Sequence, residues 1–256
     1  MKVTFLGTGT STGIPVIGVE HPVFLSEDKK DKRLRVSIKL EWEGACYIID
    51  CGPDFRYQML RENVQHIDGV LFTHEHADHT AGLDDIRPYA FAMGKVPFYA
   101  QKRVLEALKI RFNYIFNDEN KYPGAPYIEQ HVIANAAFTL GDVTVTPVQV
   151  MHGELPILGY KFGSKFAYIT DAKTIAKEEL NKLKNLDVLV INAVRFKPHY
   201  SHLSLTESLD IINYLKPKRA YLTHISHYLG LHEDLQKTLP ENVFVAFDQL
   251  QVNVSI

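Results

Sequence analysis

Val70-Leu71-Phe72-Thr73-His74-Glu75-His76-Ala77-Asp78-His79-Thr80-Ala81-Gly82-Leu83-Asp84-Asp85 sets an apolar run directly against three imidazoles and a series of carboxylates. Gly69 to Thr73 reads as a buried strand, and polar groups at the end of such a strand cost free energy unless a partner or a metal satisfies them. The stretch therefore reads as a site. Residues two apart on an extended segment face the same way, so His74 and His76 can grip one ion while Asp78 and His79 turn towards a second. Imidazole nitrogen and carboxylate oxygen are the ligands zinc prefers and manganese or iron tolerates. The pattern is not that of two histidines four apart on a helix, because position 78 is Asp and a strand precedes it. Glu75 reads as facing solvent or supporting the ligands. Asp84 and Asp85 read as orienting ligands or capping the next segment.

The composition bounds the rest. The chain has 256 residues, 46% hydrophobic and 23% charged, which suits one large domain spanning residues 1–256. Its 28 Lys and Arg against 30 Asp and Glu give a net charge of -2, so no global positive field exists to attract nucleic acid or an anionic membrane. No signal-peptide pattern opens the chain and no apolar run of about 18 residues occurs, so a cytoplasmic protein is expected. Cys46 and Cys51 lie on what reads as one extended segment, facing opposite ways and roughly 16 Å apart at full extension, too far to bridge. Histidine is in excess, 12 in all, and clustered: His74, His76 and His79 in one turn, His199, His202, His224 and His227 in one late region.

Along the chain, Lys2 to Leu6 alternates like a strand and runs into Gly7-Thr8-Gly9-Thr10-Ser11-Thr12-Gly13. Those glycines are out of step with the dinucleotide fingerprint and no Gly-Lys-Ser/Thr ends the stretch. Two readings stay open, a plain strand-to-loop turn and a backbone contribution to a phosphate pocket. Arg35 to Glu41 and Ala45 to Ile49 form a predicted hairpin about Glu43-Gly44 that delivers Asp50. Asp54 to Arg61 is a predicted short helix capped by Asp54. Val96 to Ala100 is a strand, and Lys102 to Phe116 carries a helical apolar period. The Asn, Pro and Gly-rich loop 117–126 is the candidate mobile, substrate-facing segment. Strands are predicted at 138–140, 143–150, 157–162 and 165–170, then a helix over 173–183 and a strand over 188–191. Ser204-Leu205-Thr206-Glu207 has capping-box spacing and opens a helix to about Leu215. Strands at 221–223, 243–247 and 250–254 close the chain. Two packed sheets with helices outside accommodate this order.

Asp50, His74, His152, Asp171, Asn192 and His224 each stand at or just after the end of an apolar run, where open α/β architectures place ligands. The segment 74–79 resembles the HxHxDH signature of the metallo-β-lactamase superfamily, and His152, Asp171 in "AYITDA" and His224 in "AYLTHIS" are similar to that family's later ligands. The resemblance implies a four-layer αββα sandwich. It also implies two divalent ions about 3.5 to 4 Å apart with a hydroxide between them. One ion would take His74, His76 and His152 and the other Asp78, His79 and His224, with Asp171 shared. Zinc is the expected metal and manganese the alternative.

"FLGTGTSTGIPVIG", "DKRLRVSIKLE", "HADHTAGLDDIRP" and "SHLS" at 201–204 further resemble the cyclic phosphodiesterases that act on phosphoribosyl 1,2-cyclic phosphate, relatives of the tRNA 3′-processing endonuclease. That likeness implies a hydrolase of a small cyclic or nucleotide-like phosphodiester. Asp78 and His202 would be catalytic, His202 donating a proton to the leaving alkoxide or clamping the phosphate. The family's structural zinc cysteines are replaced around Val19, His21 and Phe24, although His227 is retained, so that site is expected to be lost. The expected partner is the small substrate, with no stable nucleic-acid partner and no membrane, and a homodimer stays open. The competing functions are an RNA-processing endonuclease, which would want a basic arm, a thioester or lactone hydrolase, and a non-enzymatic ligand-binding or maturation factor.

Overall fold

The computed structural model describes residues 1–117 and 121–256. Strands β1 (Lys2–Gly7), β2 (Ser37–Trp42), β3 (Ala45–Ile49), β4 (Gly69–Leu71), β5 (Val96–Ala100) and β6 (Ile128–Val132) lie side by side in that order. A second sheet runs from β7 (Phe138–Leu140) and β8 (Val143–His152) through β9 (Leu155–Phe162), β10 (Phe166–Ile169) and β11 (Val188–Asn192) to β12 (Arg219–Thr223) and β13 (Val243–Val245). The last strand, β14 (Gln251–Asn253), returns to pair antiparallel with β1. Each sheet begins antiparallel and becomes parallel, over β3–β6 in the first and β10–β13 in the second. Parallel pairing brings the strand C-terminal ends to a common edge.

Helices α1 (Phe55–Arg61), α2 (Ala77–Thr80), α3 (Arg87–Met93), α4 (Lys102–Arg111) and α5 (Asn113–Phe116) accompany the first sheet. Helices α6 (Lys177–Lys182), α7 (Leu205–Leu215) and α8 (His232–Lys237) accompany the second. Three apolar layers result. Phe5, Ile38 and Leu40 meet Val145, Tyr160, Phe166 and Val190 between the sheets. Ile48, Val70, Phe72 and Phe98 pack against Phe55, Met59, Val104 and Leu108 outside the first sheet. Ile157, Ala167, Ile169 and Leu189 pack against Leu205, Ile212, Leu215 and Leu235 outside the second. This is the αββα sandwich expected from the sequence. At the site edge the sheets are stitched together: Tyr160 Oη donates to Phe72 O at 2.6 Å and Leu158 N to Thr73 O at 3.2 Å.

The predicted hairpin forms with Ile38 opposite Ile49, and its turn residues Glu43 and Gly44 both have positive φ, at 48° and 84°, as a tight twisted hairpin demands. The capping box is present, with Ser204 N donating to Glu207 Oε2 at 2.7 Å. Other expectations give way to tertiary contacts. Asp54 does not cap α1; its carboxylate accepts from Arg35 N at 2.8 Å and Arg35 Nη1 at 3.0 Å. The helix expected over 173–183 starts only at Lys177, because Lys173 N donates to Met151 O at 2.7 Å and Met151 N to Thr174 O at 2.9 Å, holding the chain extended. Phe112 (φ -118°, ψ 44°) breaks the period read over 102–116. Cys46 and Cys51 do not face apart: Asp50 turns left-handed at φ 63°, ends the alternation, and returns Cys51 to the apolar layer that holds Cys46. Both thiols are free. Of loop 117–126, residues 118–120 lie outside the described residues; Tyr122 packs near Tyr114, and none of the described loop residues lines the site cavity. Strand β6 and helices α3 and α8 are additions that periodicity did not reveal. No helix among the described residues is long and apolar enough to cross a membrane.

Candidate metal centre

Asp50, His74, His152, Asp171, Asn192 and His224 do meet at one edge, and three of them share a backbone feature. Asp50, Asp171 and His224 have φ of 63°, 57° and 53°. A non-glycine residue in this left-handed region costs about 1–3 kcal/mol and persists only where its surroundings hold it. Each turn swings a polar side chain off a strand into the gap between the sheets.

Two clusters fill that gap, each with its ligand atoms within 4.8 Å of one another: His74, His76 and His152, and beside it Asp78, His79, Asp171 and His224. In the first, His74 Nε2 and His76 Nδ1 approach to 3.0 Å. In the second, Asp171 reaches His224 Nε2 through Oδ1 at 3.1 Å and His79 Nε2 through Oδ2 at 3.3 Å, while Asp78 Oδ2 lies 3.3 Å from His79 Nε2. His202 stands over both, its Nδ1 3.6 Å from Asp171 Oδ1 and its ring stacked on His224 at 4.8 Å. His152, Asp171 and His202 also form a ligand-spaced trio.

Outward contacts set the tautomers. His79 Nδ1 lies 2.7 Å from the fully buried Asp50 carboxylate, and His152 Nδ1 lies 2.9 Å from Ser201 O. An oxygen that only accepts forces the proton onto Nδ1, which leaves each Nε2 lone pair facing inward. Asp50 also accepts from Thr73 N and Thr73 Oγ1, both at 2.8 Å. Asn192 is not a facing ligand; its amide brackets Ala172, accepting from Ala172 N at 2.8 Å and donating to Ala172 O at 3.0 Å, and so holds the Asp171 turn. Glu75 pairs with Arg103, and Asp84 with Arg87 at 2.6 Å, so neither turns to the centre.

Burial, with His79 behind it, holds His74 well below the ordinary histidine value, keeping it a neutral donor. Burial also opposes charge on His79, but Asp78, Asp171 and Asp50 outweigh it and raise its pKa well above the ordinary histidine value. The Nε2 position facing Asp78 and Asp171 thus attracts positive charge, which a proton or a metal cation can supply. Burial and then His224 push His202 down to about 3. The clusters also leave atoms unmatched: among the described residues, His79 Nε2, His202 Nδ1 and both ring nitrogens of His224 are buried without a hydrogen-bond partner. Orphaned buried polar atoms of this kind are rare in folded proteins, and neutral imidazoles facing carboxylates are the donor set of a divalent cation. The residues present fit divalent metal binding.

The signal for His152 and His224 was position at a strand end. Asp50 is marked by its place at a strand end, but its partner His79 lies 29 residues away, and Ser201, whose carbonyl orients His152 across 49 residues, carries no signal in the sequence. His21 and His227, with ring centroids 4.8 Å apart, pack with Phe24 and Tyr228 as an aromatic group beside the cavity.

Comparison with known proteins places this centre. The β-lactamase superfamily domain matches residues 46–225. A crystal structure of a diphosphatase from the PhnP family superposes with a TM-score of 0.93 at 40% identity, covering 100% of this chain and 98% of that one. An octanoyltransferase of Porphyromonas gingivalis is 40% identical over 254 residues, 98% of this chain and 51% of that protein, so this chain spans about half the relative's length. Human short-form tRNase Z shares the fold, with a TM-score of 0.71 at 18% identity over 100% of both chains. With the domain matched across most of its length and the PhnP-family likeness running end to end, the chain belongs to the β-lactamase superfamily, in its PhnP-like branch.

Proposed function

We propose that residues 1–256 form one hydrolase unit that cleaves a small phosphodiester at a dinuclear divalent-metal centre, with zinc as its ion. The observation that carries this reading is the adjoining pair of ligand clusters, with Asp171 inside one and against the other, at the base of a cavity of about 570 Å³ that His202 overhangs. His74, His76 and His152 would hold one ion and Asp78, His79 and His224 the other, with Asp171 between them. Divalent ions there supply positive charge against the phosphate oxygens and lower the pKa of water, which suits in-line displacement at phosphorus.

The chain's own residues do the remainder. Asp50 and Ser201 O keep the His79 and His152 rings in one tautomer and one orientation. His202 is uncharged in the free protein, and an anionic phosphate beside it opposes the shift that burial imposes. Substrate arrival thus favours a proton on His202, which it can pass to the leaving oxygen. The net charge of -2 suits a small substrate better than a nucleic-acid strand.

The 40% identical diphosphatase supports a wider substrate range. A disubstituted diphosphate offers a singly charged phosphorus with two bridging oxygens, as a phosphodiester does, one of them an anhydride oxygen, so that a phosphomonoester replaces alkoxide as leaving group. The octanoyltransferase is a longer protein, and neither thiol of this chain is suited to act as an acyl-transfer nucleophile: burial pushes the Cys46 thiol up to about 12 and the Cys51 thiol well above its ordinary value. The test is side-by-side turnover of bis(p-nitrophenyl) phosphate, p-nitrophenyl phosphate, a diphosphate diester and a β-lactam with zinc or manganese. The two diesters should far exceed the monoester and the β-lactam, and the reverse ranking overturns the proposal. Elemental analysis should find two ions per chain; one or none removes the dinuclear reading.

A further inference from the structure

One wall of the cavity takes no part in either ligand cluster. The segment between β11 and α7 leaves and returns through pinned ends, with Val194 N donating to Leu203 O at 3.0 Å and Leu205 N to Arg195 O at 2.9 Å. Within it, Arg195 Nε donates to Lys197 O at 3.1 Å and Nη2 to Pro198 O at 2.6 Å. The guanidinium is thereby fixed on its own loop. Its Nη1 has no hydrogen-bond partner, and no carboxylate pairs with it, among the described residues. A half-buried, unpaired guanidinium lining a cavity is a planar fork suited to a phosphate group.

His199 lies on the same wall. Its Nδ1 accepts from Ser201 N at 3.2 Å, so the neutral ring carries its proton on Nε2 and has a donor to spare. The same cavity is also lined by the Thr10–Thr12 turn of the glycine-rich loop, docked beside His224 by Thr10 N to Ile225 O at 3.2 Å and Ile225 N to Thr8 O at 2.9 Å. The Thr10 and Thr12 hydroxyls have only long contacts, at 3.4 Å, and the Ser11 and Thr12 amides have no partner among the described residues. Lining residues with spare donors therefore come from both the Arg195 loop and the glycine-rich loop, while the two carboxylates that line the cavity, Asp78 and Asp171, are turned to the imidazoles. A substrate with one phosphate would be satisfied at the metal clusters and would leave the Arg195 wall unmatched.

We propose that Arg195 and His199 form a subsite for a second phosphate group, in the cavity that the Thr10–Thr12 turn also lines, and that the preferred substrates are diphosphate diesters. The inference rests on the phosphodiesterase reading and narrows it. In the reaction, the oxygen of one water bonds to the phosphorus at the ligand clusters as the bond from that phosphorus to the bridging oxygen breaks. The bridging oxygen leaves with the second phosphate, which takes the electron pair and gains charge against Arg195. Two phosphomonoesters result, and at neutral pH two protons pass to solvent.

AMP and ADP isolate the subsite, since they differ by one phosphate and share everything else. Calorimetric titration of the zinc-loaded protein, freed of excess metal, should show ADP binding about 10- to 100-fold more tightly than AMP, the range expected for charge-assisted hydrogen bonds to a phosphate. Arg195→Ala should collapse the ADP-to-AMP ratio to within about threefold. His199→Asn, whose carbonyl can still accept from Ser201 N but whose NH2 sits on a shorter side chain and falls short of the place where Nε2 donates, should reduce the ratio in part. Should Arg195→Ala fail to fold, Arg195→Lys answers the same question by lowering the ratio while keeping the charge. A ratio near one in the wild type, or a ratio that survives Arg195→Ala because both affinities fall together, overturns the subsite and leaves Arg195 a strut of its loop. Wild-type turnover of bis(p-nitrophenyl) phosphate, measured alongside, judges the phosphodiesterase reading separately: its absence with a ratio intact would sink that reading and spare the subsite.

Discussion

Asp50→Asn tests whether the tautomer of His79 is imposed from outside the metal clusters. Asp50 is fully buried, and its carboxylate meets three groups: Oδ1 accepts from Thr73 N at 2.8 Å, while Oδ2 meets Thr73 Oγ1 at 2.8 Å and His79 Nδ1 at 2.7 Å. Asparagine fits the left-handed backbone at this position, where φ is 63°, so the turn itself should survive. Its oxygen can keep the Thr73 amide, which puts the NH2 where Oδ2 was. That NH2 donates to His79 Nδ1 and drives the imidazole proton to Nε2, the nitrogen 3.3 Å from both Asp78 and Asp171. A protonated Nε2 has no lone pair for a cation. The Thr73 hydroxyl must also turn, and His74 Nδ1, 3.0 Å away, feels the change. Loss of an orienting partner of this kind costs about 10- to 100-fold in metal affinity. The assay is competition for zinc against a chromophoric chelator, with circular dichroism to confirm the fold. Zinc affinity within about threefold of wild type would refute the reasoning, because that margin is small beside the expected tautomer penalty.

Three further outcomes follow from other parts of the molecule. Gly52→Ala places a Cβ 2.0 Å from Asp78 O, so the backbone that carries Asp78 must shift; a thermal melt lowered by about 1–3 kcal/mol of stability is expected, with reduced zinc content, and unchanged values for both would contradict the close approach. His202→Ala should leave zinc in place and lower turnover of a diester with a poor leaving group by about 100- to 10,000-fold, with a smaller loss on a p-nitrophenyl ester that needs no proton; loss of an ion on elemental analysis would instead make His202 a ligand alongside His152 and Asp171. Burial, and then the Arg33 guanidinium, push His232 down to about 4 from an ordinary 6.5, so the unfolded chain takes up that proton first as pH falls. Its contribution is complete above the ordinary value and is lost between there and the folded value, by at most about 1.4 kcal/mol per pH unit; urea melts of His232→Gln should show a flatter dependence over that window, and a slope equal to wild type would remove the group from the acid response.

The candidate ligand residues were legible in the sequence because their chemistry is local. His74, His76, Asp78 and His79 lie within six positions behind an apolar run, and His152, Asp171 and His224 each follow a predicted strand, weak signals singly that gain force from their order and spacing. Strand ends at one edge of two packed sheets then follow from alternation and parallel pairing, and with them the αββα order. Tertiary structure alone decided how those residues are held. The left-handed turns at Asp50, Asp171 and His224 cannot be located from the sequence, since aspartate and histidine enter that region more readily than most side chains yet only at a small share of positions, and the residue type does not say which. The tautomers of His79 and His152 depend on Asp50 and on a backbone carbonyl at Ser201, partners that come near only when the strand ends of the first sheet, for His79, and of the second, for His152, are assembled. Asp54 shows the same limit in reverse: its sequence marks it as a helix cap, yet Arg35, 19 residues away, offers two hydrogen bonds that the helix end does not. Short-range patterns specify which groups a segment can offer, whereas the orientation of a buried polar group is settled by whichever partner the folded chain brings within hydrogen-bond reach.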